Sequence, residues 1–216
     1  MRVVRAGSNF VDAGARALAR PIEECLARRE RVSFAVSGGS TPCPVFRLLA
    51  QMPLDWGRVD IYQVDERVAP AGDPARNLTG LTEALLDRVA AIVHPMPVEA
   101  SNLDAAAVQY GAELPSSLDV VHLGLGDDGH TASLVPGDPV LDVTDRPVAV
   151  SRPYQGHRRM TLTFPVLACA TRIVWLVAGA NKASMLERLR AGDQRIPAGR
   201  VHREHAVLVT DELAGS

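Results

Sequence analysis

A chain of 216 residues, 47% apolar and 22% charged, has room for one domain with a substantial core, or at most two small ones. A formal net charge of -2 excludes a generic nucleic-acid surface, though not a local basic pocket. Cys25, Cys43 and Cys169 form no CxxC pair, and neither a ~20-residue apolar run nor a signal-peptide core occurs, so a cytoplasmic protein without disulfides, zinc or membrane spans is expected.

In chain order, Val11, Ala15, Leu18, Ile22 and Leu26 fall at helical spacing, with Pro21 expected to bend or interrupt that helix. Residues 32–36 predict a strand running into Ser37-Gly-Gly-Ser-Thr-Pro42, followed by a helix over 45–50. Residues 59–64 predict the next strand, ending at Asp65-Glu-Arg67. A helix is predicted over 81–89, a short strand over 91–93 and a helix over 103–114. A strand at 119–123, apolar enough to be buried on both faces, leads into a long glycine-bearing loop at 124–137. Strands over 148–151, 159–164 and 173–177, a helix over 182–189 and a strand over 206–209 complete the chain. Strand, loop and helix alternating in this way predict a single α/β domain over 1–216, with a mostly parallel sheet and helices on both faces.

The loop after the 119–123 strand carries three glycines, Asp127, Asp128 and His130 past a strand's C-terminal end, where ligands bind in open α/β sheets. A histidine beside a carboxylate is a candidate proton-transfer group. Asp127, Asp128 and His130 give only a weak metal signal, because no further His or Cys stands at ligand spacing. In Ser37-Gly38-Gly39-Ser40-Thr41-Pro42, glycines free backbone N–H groups and hydroxyls add donors before a helix, which is the physics of a phosphate cradle. Simple chain reversal fits the same residues equally well, and without a Walker lysine a nucleoside triphosphate is not favoured.

Asp65-Glu-Arg67 alone reads as a solvated turn. Against that, three strand ends, after Val36, Val64 and Leu123, each deliver polar or glycine-rich residues to one rim. Lys182, after the 173–177 strand and a Gly179 turn, is placed to reach the same crevice. Arg172 begins that strand and by spacing belongs on the far rim. Cys43 and His122 read as packed residues rather than a reactive thiol and a ligand.

Together these segments resemble the 6-phosphogluconolactonases over nearly the whole chain. The resemblance rests on Ser37–Pro42, Trp56–Arg67, Arg76-Asn77, the GxGxDGHTASLxPG-like loop at 124–137, Arg159–Thr163 and Gly179–Lys182. It implies a modified Rossmann-like fold shared with glucosamine-6-phosphate deaminase and ribose-5-phosphate isomerase. It further implies hydrolysis of a sugar-phosphate lactone, with His130 as base for water, Asp128 beside it, and Asp65 at the position of the deaminase base. Ser37, Gly38, Gly39, Ser40, Thr41, Arg67, Arg159, Arg172 and Lys182 match positions of sugar-phosphate recognition in the family or its deaminase relatives. For Arg172 the resemblance thus opposes the topology. No metal, cofactor, nucleic acid or membrane partner is implied, and monomer and dimer stay open.

Two departures stand out. The order after the DER motif is Val68-Ala-Pro70, and Val135 replaces a usual Phe. The deaminases carry a glutamate at that second place, five residues after their histidine, so its absence favours the lactonase. The rivals are a sugar-phosphate isomerase or deaminase, and a catalytically silent sugar-phosphate sensor.

Overall fold

The computed structural model describes residues 1–202 and 204–211. Its elements are β1 (Arg2–Arg5), α1 (Phe10–Leu26), β2 (Val32–Val36), α2 (Cys43–Leu49), β3 (Val59–Gln63), β4 (Asp65–Arg67), α3 (Asn77–Ala84) and β5 (Ile92–His94). There follow α4 (Leu103–Glu113), β6 (Val120–Leu123), β7 (Val148–Val150), β8 (Arg159–Leu162), α5 (Phe164–Ala168), β9 (Arg172–Val177), α6 (Ala183–Ala191) and β10 (Ala206–Thr210).

Seven strands form one all-parallel sheet in the order β1-β10-β9-β6-β2-β3-β5. From β2 the chain builds outward through β3 to β5, then returns to β6 on the other side of β2 and builds through β9 to β10. The strand order therefore reverses between β2 and β6. In such sheets the loops leaving the two strands diverge there and open a crevice at their C-terminal ends.

The strands are apolar on both faces because helices or a second sheet cover each. Phe34, Val36, Val59, Ile61, Val120, Val174 and Leu176 point into one core with Leu18, Ile22, Phe46 and Leu81 from α1, α2 and α3. The alternate residues Ala35, Tyr62, Val121, Leu123, Ile173, Trp175 and Val177 point into the opposite core with Tyr110 from α4 and Leu186 from α6. This period-2 division, each side buried, explains why the strands read as continuous apolar runs.

Three local expectations are corrected, and one strand is added. Helix α1 is not interrupted: it runs from Phe10 to Leu26 with a buried Pro21 inside it. The helix expected over 81–89 instead starts at Asn77 and ends at Ala84, before a 3-10 turn at Leu86–Arg88. Asp65–Arg67 is not a loop but β4, pairing antiparallel with β8, which also pairs antiparallel with β7 in a separate three-stranded sheet. Finally, Arg2–Arg5, two valines between two arginines, forms an edge strand not predicted from sequence.

Candidate active site

The loops after β2, β6 and β9 meet β4 and β8 around a crevice of about 230 Å³ at the switch point. Ser37, Gly38, Gly39, Ser40, Thr41, Asp65, Arg67, His130, Arg159 and Lys182 all line it. These residues come from five separate sequence segments; parallel topology sends every β-to-α loop to one rim, and β4 and β8 bring Asp65, Arg67 and Arg159 to it.

The 37–41 loop is held from below. Ser37 donates its N–H to His122 Nδ1 at 3.3 Å and its hydroxyl to the His122 carbonyl at 3.2 Å. Ser37 therefore anchors the loop to β6, leaving Ser40 and Thr41 as the less buried hydroxyls. Because Nδ1 accepts, His122 carries its proton on Nε2. Complete burial, edge-on to Phe46 at 5.2 Å, pushes its pKa down to about 3. A Cβ on Gly38 would lie 2.5 Å from the Asn77 side chain. That close approach lets Asn77 donate to the Asp65 carbonyl at 3.0 Å and accept from Arg67 at 3.2 Å.

Glu66 and Asn77 enter the sequence analysis only inside motifs, without a role of their own. Glu66 is fully buried and accepts from the N–H groups of Asn77 at 2.7 Å and Leu78 at 2.8 Å, while pairing with Arg76 at 3.0 Å. A carboxylate at the first turn satisfies orphan donors and complements the helix dipole, which is why α3 begins early. The signal available was the pair Arg76-Asn77 at fixed distance from the DER motif.

Asp65 is buried, and burial pushes its carboxyl pKa up, opposed by a 2.7 Å hydrogen bond from Ser133 Oγ and by Arg159. Arg159 is only 3% exposed, and burial followed by repulsion from Arg67 pushes its own pKa down. Its guanidinium lies 5.0 Å from the Tyr154 ring centre and donates to Gln155 Oε1 at 3.2 Å. Two crowded arginines with few partners form an anion-attracting wall. Lys182 adds a third cation, ion-paired with Asp127, which also accepts from Asn181 at 3.0 Å.

His130 sits where its loop folds back on itself. The Gly126 N–H donates to the His130 carbonyl at 2.8 Å, and a Cβ on Gly126 would stand 2.0 Å from His130 Nδ1. Only glycine permits this overlap of ring and loop. Nδ1 contacts Asp128 Oδ1 at 2.6 Å, and the His130 N–H donates to the same oxygen at 3.1 Å. Burial alone would raise Asp128, but these bonds and a 3.0 Å bond from Tyr154 Oη to its Oδ2 hold it below the usual carboxylate range. Such a carboxylate fixes the tautomer with hydrogen on Nδ1 and leaves Nε2 as the basic nitrogen.

Arg172 does not join them. It opens β9 at the N-terminal rim, donates to the Thr171 carbonyl at 3.1 Å, and lines a different groove with Arg2, Arg16 and Arg20. The expectation drawn from resemblance is corrected: the first residue of a parallel strand lies a full strand length from the loops that follow its last. Val135 is buried and is not among the residues of the crevice wall. Among the described residues no group of three or more His, Cys, Asp or Glu is gathered that could hold a metal ion. Among those residues no helix is long and apolar enough to cross a membrane.

The family description for glucosamine-6-phosphate isomerases/6-phosphogluconolactonase matches residues 6–210. The chain belongs to this family. Within it, the chain is 35% identical to the 6-phosphogluconolactonase of Synechocystis sp. over 211 residues, covering 90% of this chain and 88% of the relative. It is 33% identical to that of Streptomyces coelicolor, covering 96% and 90%. The 6-phosphogluconolactonase structure from Thermotoga maritima superposes with a TM-score of 0.89 at 25% identity over 97% of this chain and 98% of that one. A monomeric glucosamine-6-phosphate deaminase superposes almost as well, with a TM-score of 0.85 at 19% identity over 99% and 98%. The family's fold is thus common to two chemistries, and the choice between them falls to the side chains.

Proposed function

We propose that the chain, acting as one domain, hydrolyses 6-phospho-D-glucono-1,5-lactone to 6-phosphogluconate, the lactone step of the oxidative pentose phosphate route. The observation that carries this reading is the contact of 2.6 Å between His130, on the wall of a crevice that also holds Arg67, Arg159 and Lys182, and Asp128, which stands behind the imidazole outside that wall. A proton acceptor within reach of a cationic anchor suits a neutral reacting centre at one end of a phosphorylated sugar.

In this mechanism Lys182, Arg159 and the donors of the 37–41 loop hold the phosphate and so place C1 of the lactone beside His130. Nε2 of the unprotonated imidazole takes a proton from water as its oxygen bonds to C1. The resulting C1 oxyanion is stabilised by backbone N–H donors of the glycine-bearing loops. As the carbonyl re-forms, the bond from C1 to the ring oxygen breaks, and the imidazolium returns its proton to that oxygen. Asp128 stabilises the transient imidazolium, and Asp65 orients the sugar hydroxyls from the crevice wall. Water is the only co-reactant, so no cofactor is called for.

The alternative of an isomerising deaminase is disfavoured by Val135, an apolar and buried side chain where the deaminases place a glutamate. The test is an assay on freshly generated lactone, coupled to 6-phosphogluconate dehydrogenase, with spontaneous hydrolysis subtracted. Turnover above background is expected. Ammonia release from glucosamine 6-phosphate, without lactone turnover, would reverse the assignment.

A further inference from the structure

We propose that Tyr154 is a positioning residue of this reaction: its phenol holds the Asp128 carboxylate in the one orientation that fixes the His130 ring. The inference rests on the lactonase reading above, and concerns a residue outside the crevice wall that neither the motif at 124–137 nor the cationic wall includes.

The turn that carries Tyr154 is built to present it. Tyr154 and His157 exchange backbone hydrogen bonds of 2.9 and 3.2 Å across Gln155 and Gly156. Gln155 has φ +49° and Gly156 φ +85°, the left-handed pair that closes a two-residue hairpin loop. A non-glycine residue at positive φ is unfavourable, so this turn is held by its surroundings. Arg159 supplies part of that hold, donating to the Tyr154 carbonyl at 3.4 Å while its guanidinium covers the ring.

From this platform the phenol meets Asp128 Oδ2 at 3.0 Å, and the ring edge meets His130 with centroids 5.5 Å apart and planes at 70°. The division of labour on Asp128 follows. Oδ1 receives the His130 N–H and contacts Nδ1, while Oδ2 receives the phenol. A carboxylate bound on one oxygen alone can swing about its side-chain torsions and carry the imidazole with it. One bound on both oxygens, from opposite sides, cannot. The phenol itself remains protonated, because burial and the neighbouring Asp128 both push its pKa up.

Tyr154→Phe isolates the hydroxyl, keeping the ring contacts to His130 and Arg159. The expected result is a kcat lower by about 3- to 10-fold, the effect of one hydrogen bond, with KM within about twofold. A second readout is independent of turnover: the low-field proton NMR signal of His130 Nδ1–H, assigned by its loss in His130→Ala. In Tyr154→Phe it should broaden or move upfield. Wild-type kcat in Tyr154→Phe, a change confined to KM, or an unaltered Nδ1–H signal would each overturn the proposal. The lactonase reading fails separately, on a wild-type protein that opens the lactone no faster than background.

Discussion

At the scale of single residues, Gly126 decides where the His130 ring can lie. A methyl group there would stand 2.0 Å from Nδ1, far inside van der Waals contact, so the ring or the loop must move. Gly126→Ala should cost about 1–3 kcal/mol of stability and lower kcat at least ~10-fold, because the displaced ring leaves Asp128. Wild-type kinetics in that variant, read from a saturation curve, would refute the placement of the base. Lys182 makes the opposite kind of prediction. Its proposed role is a charge-assisted hold on a remote phosphate, so Lys182→Ala should raise KM by about 10- to 100-fold and leave kcat within a few-fold. A fall in kcat alone would assign it to chemistry instead.

At the scale of elements, the site depends on how strand ends are pinned beneath it. Glu66, fully buried, ties β4 to the first turn of α3 and neutralises the buried Arg76. Glu66→Ala should destabilise by about 3–5 kcal/mol, since it strands a buried guanidinium, and urea unfolding would show it. A loss below about 1 kcal/mol would contradict this. The 37–41 loop is pinned by His122, whose folded pKa of about 3 lies below its usual 6.5. The unfolded chain therefore binds that proton first. The stability from the neutral imidazole is complete above about pH 6.5 and is lost as pH falls toward 3, with a slope of up to about 1.4 kcal/mol per pH unit. His122→Gln retains an acceptor for Ser37 but cannot titrate, so its unfolding free energy should fall less steeply over that window. Identical slopes would rule out the buried neutral state.

These elements also mark what the sequence could disclose. The buried parallel strands were legible because helices or a second sheet cover each face and their apolar runs are unbroken, as in Val32–Val36. The crevice was legible because such strands send their loops to one rim. Asp65–Arg67 was not legible as a strand: its three charges pair with β8, nearly a hundred residues away, and Asp65 and Glu66 are buried. The start of α3 was hidden for the same reason, its cap coming from Glu66 rather than from a neighbour in sequence. For Arg172 strand direction is a better guide than resemblance, since the residue opens β9 at the rim away from the crevice. Tyr154 lies 26 residues from Asp128, in a turn whose role exists only in three dimensions.

At the scale of the molecule, a chain of net charge -2 gathers Arg67, Arg159 and Lys182 at one rim of a parallel sheet, where β2 and β6 part. Low-dielectric walls concentrate that field on an entering anion, and on the proposed function it would draw in and hold a phosphorylated substrate before any chemistry begins. The fold is shared with a deaminase, so the proposed lactone hydrolysis rests on side chains, above all the Asp128–His130 pair. The most direct test compares wild type with His130→Ala on freshly generated 6-phosphogluconolactone, coupled to 6-phosphogluconate dehydrogenase and corrected for spontaneous opening. Wild type should turn the lactone over well above background, and the variant should lose at least ~100-fold in kcat with KM changed by less than about threefold. A variant that keeps the wild-type rate, or a wild type no faster than background, would contradict the account.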